Sequence, residues 1–345
     1  MSPIGFLSSS NRSTSVSDLT PSLCEFTGPD GVLYKLERVI GRGGYGLVYA
    51  CTTGKGASVA LKAAKGSSLV MEAEVLKKVN EKNCRHFCQF LSEGFSQKLK
   101  ENYIIMDIQG PNFSELRNMI ESRRFSLPSS LRATMQMLNA IEELHACGFV
   151  SRDIKPSNFV VGAGYPGCRM VRMIDFGIAK KYANANGELL KRRPQGGWRG
   201  TGRYCSLANH NKKDQCRRDD VESWFYVACE VMRGRLPWAH ISRYERDALM
   251  EAKKKVRGKG RDRFFRKLPG YLSKVLPMID SWEFVTKPEY EAIYAFIDAE
   301  MKEQKFDYRA PYDWEGCTVF TGQDTGENTS LSLEDTPSTI ISKEK

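Results

Sequence analysis

The chain of 345 residues carries 52 Lys and Arg against 41 Asp and Glu, a formal net charge of +11, with 41% hydrophobic and 27% charged residues. This balance supports one large buried core or two moderate ones, and no stretch approaches the roughly 20 uninterrupted apolar residues of a membrane span. The positive charge favours anionic partners: nucleic acid, a membrane surface, or acidic and phosphorylated protein.

In chain order, Met1–Thr20 is Ser-rich and aperiodic. It lacks the apolar run of a signal peptide and the glycine after Met1 that myristoylation requires. A disordered extension over 1–30 is expected, in an intracellular protein, cytoplasmic or nuclear. Apolar and β-branched runs at Leu33–Ile40, Leu47–Cys51, Ser58–Ala63 and Tyr103–Ile108, separated by glycine-bearing turns, predict strands. Between them, Leu69, Val75, Leu76 and Val79 share one face of a helix over about 67–79. Cys84 and Cys88 flank His86, but no second ligand pair follows to complete a four-coordinate zinc site. The ten cysteines include no CxxC pair and are read as reduced thiols.

After Gly110-Pro111 the pattern turns helical. Ser129–Cys147 carries Leu131, Met135, Leu138, Ile141 and Leu144 at helical spacing, and Asp219–Met232 and Glu289–Lys302 are further helices. Residues 316–345, rich in Ser, Thr, Gly and acid, are expected to form a flexible tail. The organisation is α+β: a small β-rich lobe at about 31–107, a hinge at about 107–110 and a larger helical lobe at about 111–315. The crevice between such lobes favours a ligand.

Four segments carry chemistry. In Gly41-Arg42-Gly43-Gly44-Tyr45-Gly46-Leu47-Val48, the glycines let backbone N–H groups approach phosphate oxygens. A strand-like run follows this loop, whereas a dinucleotide-binding turn opens a helix. A Walker loop is excluded, because Gly54-Lys55 lacks both the upstream glycine and a following Ser or Thr. In Val59-Ala60-Leu61-Lys62 a lysine ends an apolar strand, and its ammonium needs anionic partners, for which Glu72 is the candidate within the chain. Ser151-Arg152-Asp153-Ile154-Lys155-Pro156-Ser157-Asn158 and Ile174-Asp175-Phe176-Gly177 add two carboxylates, an amide and a lysine.

In this order and spacing the segments resemble a eukaryotic-type protein kinase. Arg199-Gly200-Thr201-Gly202-Arg203-Tyr204-Cys205-Ser206, His210, Arg217-Arg218-Asp219-Asp220 and Leu236-Pro237-Trp238 resemble the casein kinase I group. Lys155-Pro156-Ser157-Asn158-Phe159, Lys287-Pro288-Glu289-Tyr290 and Tyr312-Asp313-Trp314-Glu315 look like its tau-tubulin kinase branch. The resemblance covers about residues 33–315.

It implies a bilobal kinase fold acting as a monomer, with ATP and Mg²⁺ as cofactors, that phosphorylates Ser or Thr of protein substrates. Asp153 would accept the substrate hydroxyl's proton, Lys155 would neutralise charge on the transferred phosphoryl group, Lys62 and Glu72 would form an ion pair, and Asn158 and Asp175 would hold Mg²⁺. ATP would contact Ile40, Gly41, Arg42, Gly43, Gly44, Tyr45, Gly46, Leu47, Val48, Ala60 and Lys62. Met106 would be the gatekeeper, with Asp107, Ile108 and Gln109 as the hinge.

The basic cluster Lys191, Arg192, Arg193, Arg199 and Arg203 falls where substrate would dock. Tyr182 is the only hydroxyl residue between Asp175 and Arg199, so no internal phosphate is available there and the cluster is expected to be uncompensated. Thr201 is assigned a structural role at the catalytic loop. With Gly234 and Arg243, Arg203 implies an anion pocket, and hence acidic or phospho-primed substrates. The second basic run, Lys253–Lys267, is read as a solvated face. No nucleic-acid recognition module is present, and neither specific nucleic acid nor membrane is expected as a partner. Two positions depart from the family: Ser151 replaces the usual histidine, and Ala208 the usual asparagine. Ser151 motivates an alternative, an ATP-binding pseudokinase scaffold.

Overall fold

The computed structural model describes residues 24–43, 46–184 and 186–321. The small lobe is a six-stranded antiparallel sheet built from β1 (Glu25–Thr27), β2 (Leu33–Gly43), β3 (Gly46–Thr53), β4 (Ser58–Ala64), β5 (Phe90–Ser96) and β6 (Glu101–Asp107), in the order β1-β2-β3-β4-β6-β5. Helix α1 (Val70–Glu81) packs against it.

Alternation along β4 sorts its side chains to two faces. Leu61 and Ala63 join Tyr34, Leu36, Tyr49, Tyr103 and Ile105 in one apolar cluster. Ala60 and Ala64 face α1 and join the main core with Val75, Leu76 and Val79. Lys62, between Ala60 and Ala64, is thereby aimed at α1, where Glu72 lies on the same buried stripe as Val75, Leu76 and Val79.

Residues Gln109–Asn112 form β7 and lead into the large lobe. There α2 (Phe113–Met119), α3 (Leu127–Ala146), β8 (Phe149–Val150), β9 (Phe159–Gly162), β10 (Val171–Met173) and β11 (Lys180–Lys181) precede α4 (Leu207–His210), α5 (Arg217–Arg233), α6 (Arg246–Lys255), α7 (Arg261–Phe265), α8 (Leu272–Ser281), α9 (Tyr290–Glu303) and α10 (Thr318–Thr321). Asn112 caps α2 in a reciprocal box with Glu115, and Ser126 caps α3. At the heart of this lobe α5 is buried almost throughout, with Trp224, Phe225 and Tyr226 fully enclosed. The fold is the bilobal α+β arrangement expected. No helix among the described residues is long and apolar enough to cross a membrane.

Two boundaries shift. Residues 1–23 lie outside the described residues, but Glu25–Thr27, expected within a disordered extension, pairs with Leu33–Lys35 as a sheet edge. Phe26 packs against Tyr103 in a tilted ring contact at 4.9 Å, which supplies the apolar burial that composition alone did not reveal. At the other end, residues 322–345 of the expected tail lie outside the described residues, whereas 316–321 include α10. Ahead of it, Trp314 is fully buried and donates to the Cys168 carbonyl at 2.9 Å, and Tyr312 stacks on it at 4.4 Å.

The second basic run is not a solvated face throughout. Lys253 is fully buried, and its Nζ donates to the carbonyls of Gly202 at 2.8 Å and Cys205 at 2.6 Å. Arg257 reaches Glu222 at 3.0 Å and Asp280 at 2.8 Å. Buried carbonyls and carboxylates require donors, and these side chains supply them.

Candidate active site

The β3–β4 register places Val48 opposite Lys62, and the β4–β6 register places Ala60 opposite Met106. In the glycine loop Gly41 pairs with Val48, Arg42 with Leu47 and Gly43 with Gly46, while Gly44 and Tyr45 lie outside the described residues. Ile40 is partly exposed at the mouth of the hairpin, and Met106 is buried. Past β6, the carboxylate of Asp107 accepts from Gln89 N at 2.6 Å and from Gln109 Nε2 at 2.6 Å. Gln109 Oε1 in turn accepts from Arg172 at 3.0 Å. Ile108, between β6 and β7, is half-buried. The segment expected to be a hinge is thus pinned by its own side chains.

Lys62 Nζ lies 2.5 Å from Glu72 Oε2 and 3.0 Å from Asp175 Oδ1. Burial opposes its charge, but the two carboxylates outweigh that and hold the ammonium above its usual range. Burial conversely pushes Glu72 up, against the pull of Lys62. Asp175, 113 positions from Lys62, therefore joins Lys62 and Glu72 in one ion cluster.

Around Asp153 the loop Ser151–Asn158 is closely held. Lys155 Nζ donates to Asp153 Oδ2 at 2.7 Å, and Thr201 Oγ1 donates to Oδ1 at 2.7 Å. Asn158 Nδ2 donates to the Asp153 carbonyl at 3.0 Å. Beneath them Asp220 accepts from Ser151 N at 2.6 Å, from Arg152 N at 2.8 Å and from His145 Nε2 at 3.0 Å. Arg152 and Asp175 both have φ +66, a left-handed conformation that costs about 1–3 kcal/mol for such residues and clusters at functional sites. Gly200 has φ +93, and a Cβ there would fall 2.2 Å from the Arg152 carbonyl, so only glycine lets the segment ahead of Thr201 approach. Ser151 is buried, and its Oγ accepts from Asp153 N at 3.4 Å.

The basic cluster does have an internal counter-charge. Asp214, fully buried, accepts from Lys180 Nζ at 2.6 Å and from Arg193 Nη2 at 2.7 Å and backbone N at 3.0 Å. Burial opposes its ionisation, yet these donors draw its carboxyl down to about 2. The expectation of an uncompensated cluster therefore fails for Arg193. Asp214 is the only acid between Glu188 and Asp219, a signal the sequence did offer.

The implied anion pocket forms only in part. Arg203 Nη1 lies 3.9 Å from Glu230 Oε1, and Arg117 reaches the same oxygen at 3.7 Å and the Gly234 carbonyl at 3.5 Å. Arg124 packs so closely on Gly234, itself at φ +86, that a Cβ there would meet it at 2.8 Å. Arg243 instead donates to Tyr244 Oη at 2.6 Å. Arg117 and Arg124 escaped notice because they come from the α2 region, far away in sequence.

No group of three or more His, Cys, Asp or Glu among the described residues could hold a metal by itself. The sequence matches the protein kinase domain over residues 34–276. The chain belongs to the protein kinase family. It is 33% identical over 248 residues to the serine/threonine-protein kinase spe-6 of Caenorhabditis elegans, covering 71% of this chain and 65% of that one. It is 31% identical over 290 residues to a "probable serine/threonine-protein kinase" of Dictyostelium discoideum, covering 82% of this chain and 56% of that one. The chain thus spans less than two thirds of the length of both relatives.

Proposed function

We propose that the chain is an active serine/threonine kinase of the casein kinase I group, nearest its tau-tubulin branch, acting on acidic or phospho-primed protein. The observation that carries the activity is the closed cluster of Lys62, Glu72 and Asp175, linked to the Asp153 loop through Ile174 N to the Asn158 carbonyl at 2.9 Å and Asn158 Nδ2 to the Asp153 carbonyl at 3.0 Å. A kinase needs this cluster formed to position phosphates, and every charged member is present in this chain.

Ile174 N donates to the Asn158 carbonyl at 2.9 Å, which sets Asn158 beside the strand end that carries Asp175, and the amide and carboxylate supply the oxygen donors that Mg²⁺ takes. The donor set therefore fits Mg-ATP. When bound, ATP supplies the transferable phosphoryl group and Mg²⁺ the charge that gathers its oxygens. Lys62 would meet phosphate oxygens from β4. Asp153 would orient the substrate hydroxyl and accept its proton, with Thr201 and Lys155 fixing the two carboxylate oxygens. Lys155 Nζ, beside that carboxylate, would neutralise charge as the phosphoryl group moves.

The test is Mg-ATP-dependent phosphate transfer to casein by the purified chain, with Lys62→Met and Asp153→Asn as controls. We expect transfer by the wild type and a loss of about 10²-fold or more in each variant. No transfer by folded, ATP-binding wild type would favour the pseudokinase scaffold. Equal transfer by variants and wild type would refute the site.

A further inference from the structure

Cys84 and Cys147 are 63 positions apart in sequence, yet their Sγ atoms stand 3.7 Å apart. Cys84 lies in the turn between α1 and β5, and Cys147 caps the end of α3. Other bonds hold these two segments together. Lys82 Nζ donates to the Ala146 carbonyl at 2.7 Å, and the backbone N–H groups of Arg85 and His86 donate to the Glu143 carboxylate at 3.4 and 3.1 Å. Cys84 N is tied to the Val79 carbonyl at 2.9 Å, and Cys147 N to the Glu143 carbonyl at 3.1 Å. The thiols therefore meet because both backbones are fixed.

We propose that Cys84 and Cys147 are a site of reversible oxidation, closing to a disulfide that joins the α1–β5 turn to the end of α3. A disulfide needs its sulfurs at about 2.05 Å, within reach of side-chain rotation from the observed contact. Either thiol can donate to the other. With Cys84 donating, that bond, aided by the Lys82 and Lys78 ammoniums, holds Cys147 below the usual thiol range, against burial and Glu143. The same contact and burial push Cys84 up. Cys147 is itself only 8% exposed, but the half-buried Cys84 lies against it with the sulfurs 3.7 Å apart, so hydrogen peroxide reaches Cys147 past the Cys84 side.

The chemistry balances in two steps. The Cys147 thiolate attacks one peroxide oxygen, the O–O bond breaks, and the hydroxide released takes a proton to become water. The sulfenic acid left on Cys147 is then attacked by the Cys84 sulfur. The S–S bond forms, the S–O bond breaks, and the second oxygen leaves as water carrying the Cys84 proton. Two thiols lose two electrons in all, and one peroxide becomes two waters. The cross-link closes a long loop and would restrict the unfolded chain. It would also tie the helix that carries Glu72 to the large lobe.

The experiment treats the purified full chain with hydrogen peroxide, blocks remaining thiols with iodoacetamide and maps its peptides by mass spectrometry without reductant. The expected product joins the Cys84 and Cys147 peptides, two hydrogens lighter than their sum, and dithiothreitol reverses it. The melting temperature should rise by several degrees on oxidation of the wild type, and not in Cys84→Ser or Cys147→Ser. Separate blocking or separate over-oxidation of the two cysteines would overturn the proposal, as would pairing of either with another thiol. So would the same rise in melting temperature in both variants. The cross-linked peptide is read in the wild type, so a variant that fails to fold leaves the test intact.

Discussion

Thr201 donates its hydroxyl to Asp153 Oδ1 at 2.7 Å, joining the Arg199–Ser206 segment to the loop of Asp153 across 48 positions of sequence. Lys155 holds the other oxygen, so the carboxylate has one defined orientation. Removing a donor to a largely buried carboxylate costs about 1.5–3 kcal/mol, or roughly 10- to 150-fold. Thr201→Val should lower kcat by up to that amount and the melting temperature by a few degrees, while Thr201→Ser keeps most activity and stability. Loss in both variants, or in neither, would show that the hydroxyl does not set the geometry of Asp153.

Much of this site was legible because strand and helix periods decide where side chains go. Lys62 follows from alternation along β4, and Glu72 from the buried stripe of α1. The family motifs located Asp153, Asn158 and Asp175 without showing how they are held. That support comes from contacts between distant segments: Asp220 under the catalytic loop, Gly200 against the Arg152 carbonyl, Lys253 beneath Gly202 and Cys205. No local period encodes these. The Lys253–Lys267 run misled for the same reason, since a charge run reads alike whether its members meet water or buried carbonyls.

Ser151 provides a test of volume. It is buried, its N–H is held by Asp220, and its small hydroxyl accepts from Asp153 N. An imidazole would refill the volume that the usual histidine takes, and its ring nitrogen could accept the same N–H. Ser151→His should preserve or raise kcat and raise the melting temperature modestly. A less stable, less active variant would mean that the surroundings have closed around serine, because overpacking a filled core typically costs about 1–3 kcal/mol.

The anion pocket makes a prediction about substrate choice. Arg203 is partly committed: its Nη2 donates to the Ala239 carbonyl at 3.2 Å and Glu230 lies at 3.9 Å, while the side chain is 39% exposed. Glu230 would repel an incoming phosphate, so the gain from a primed substrate should fall near the low end of charge-assisted contacts, about tenfold. Arg203→Ala combined with Arg243→Ala should reduce kcat/KM for a phospho-primed peptide by that factor and leave an unprimed one nearly unchanged. The preference should shrink as salt rises, because these charges are partly exposed. An equal fall for both peptides would reduce the pocket to a general basic surface.

Asp214 carries the pH prediction. Its carboxyl is drawn down to about 2 by Arg193 and Lys180, from the ordinary 3.8. A group whose folded pKa is depressed stabilises the fold above its unfolded pKa, and that contribution fades as pH falls toward the folded value. The shift corresponds to about 2 kcal/mol, present in full at pH 7 and lost between about pH 4 and pH 2. Asp214→Asn keeps the shape but strips the charge from a fully buried position, leaving Lys180 with no ion-pair partner there. The variant should unfold at lower urea at pH 7, by about that free energy. Its deficit should hold at pH 5, begin to narrow at pH 4 and fall by about half at pH 3, because the wild type loses the same charge by protonation. A deficit that stays constant over this range would assign the role of Asp214 to packing. No deficit at pH 7 would mean that Arg193 and Lys180 find other partners and that the segment from Lys180 to Arg193 is held without this carboxylate.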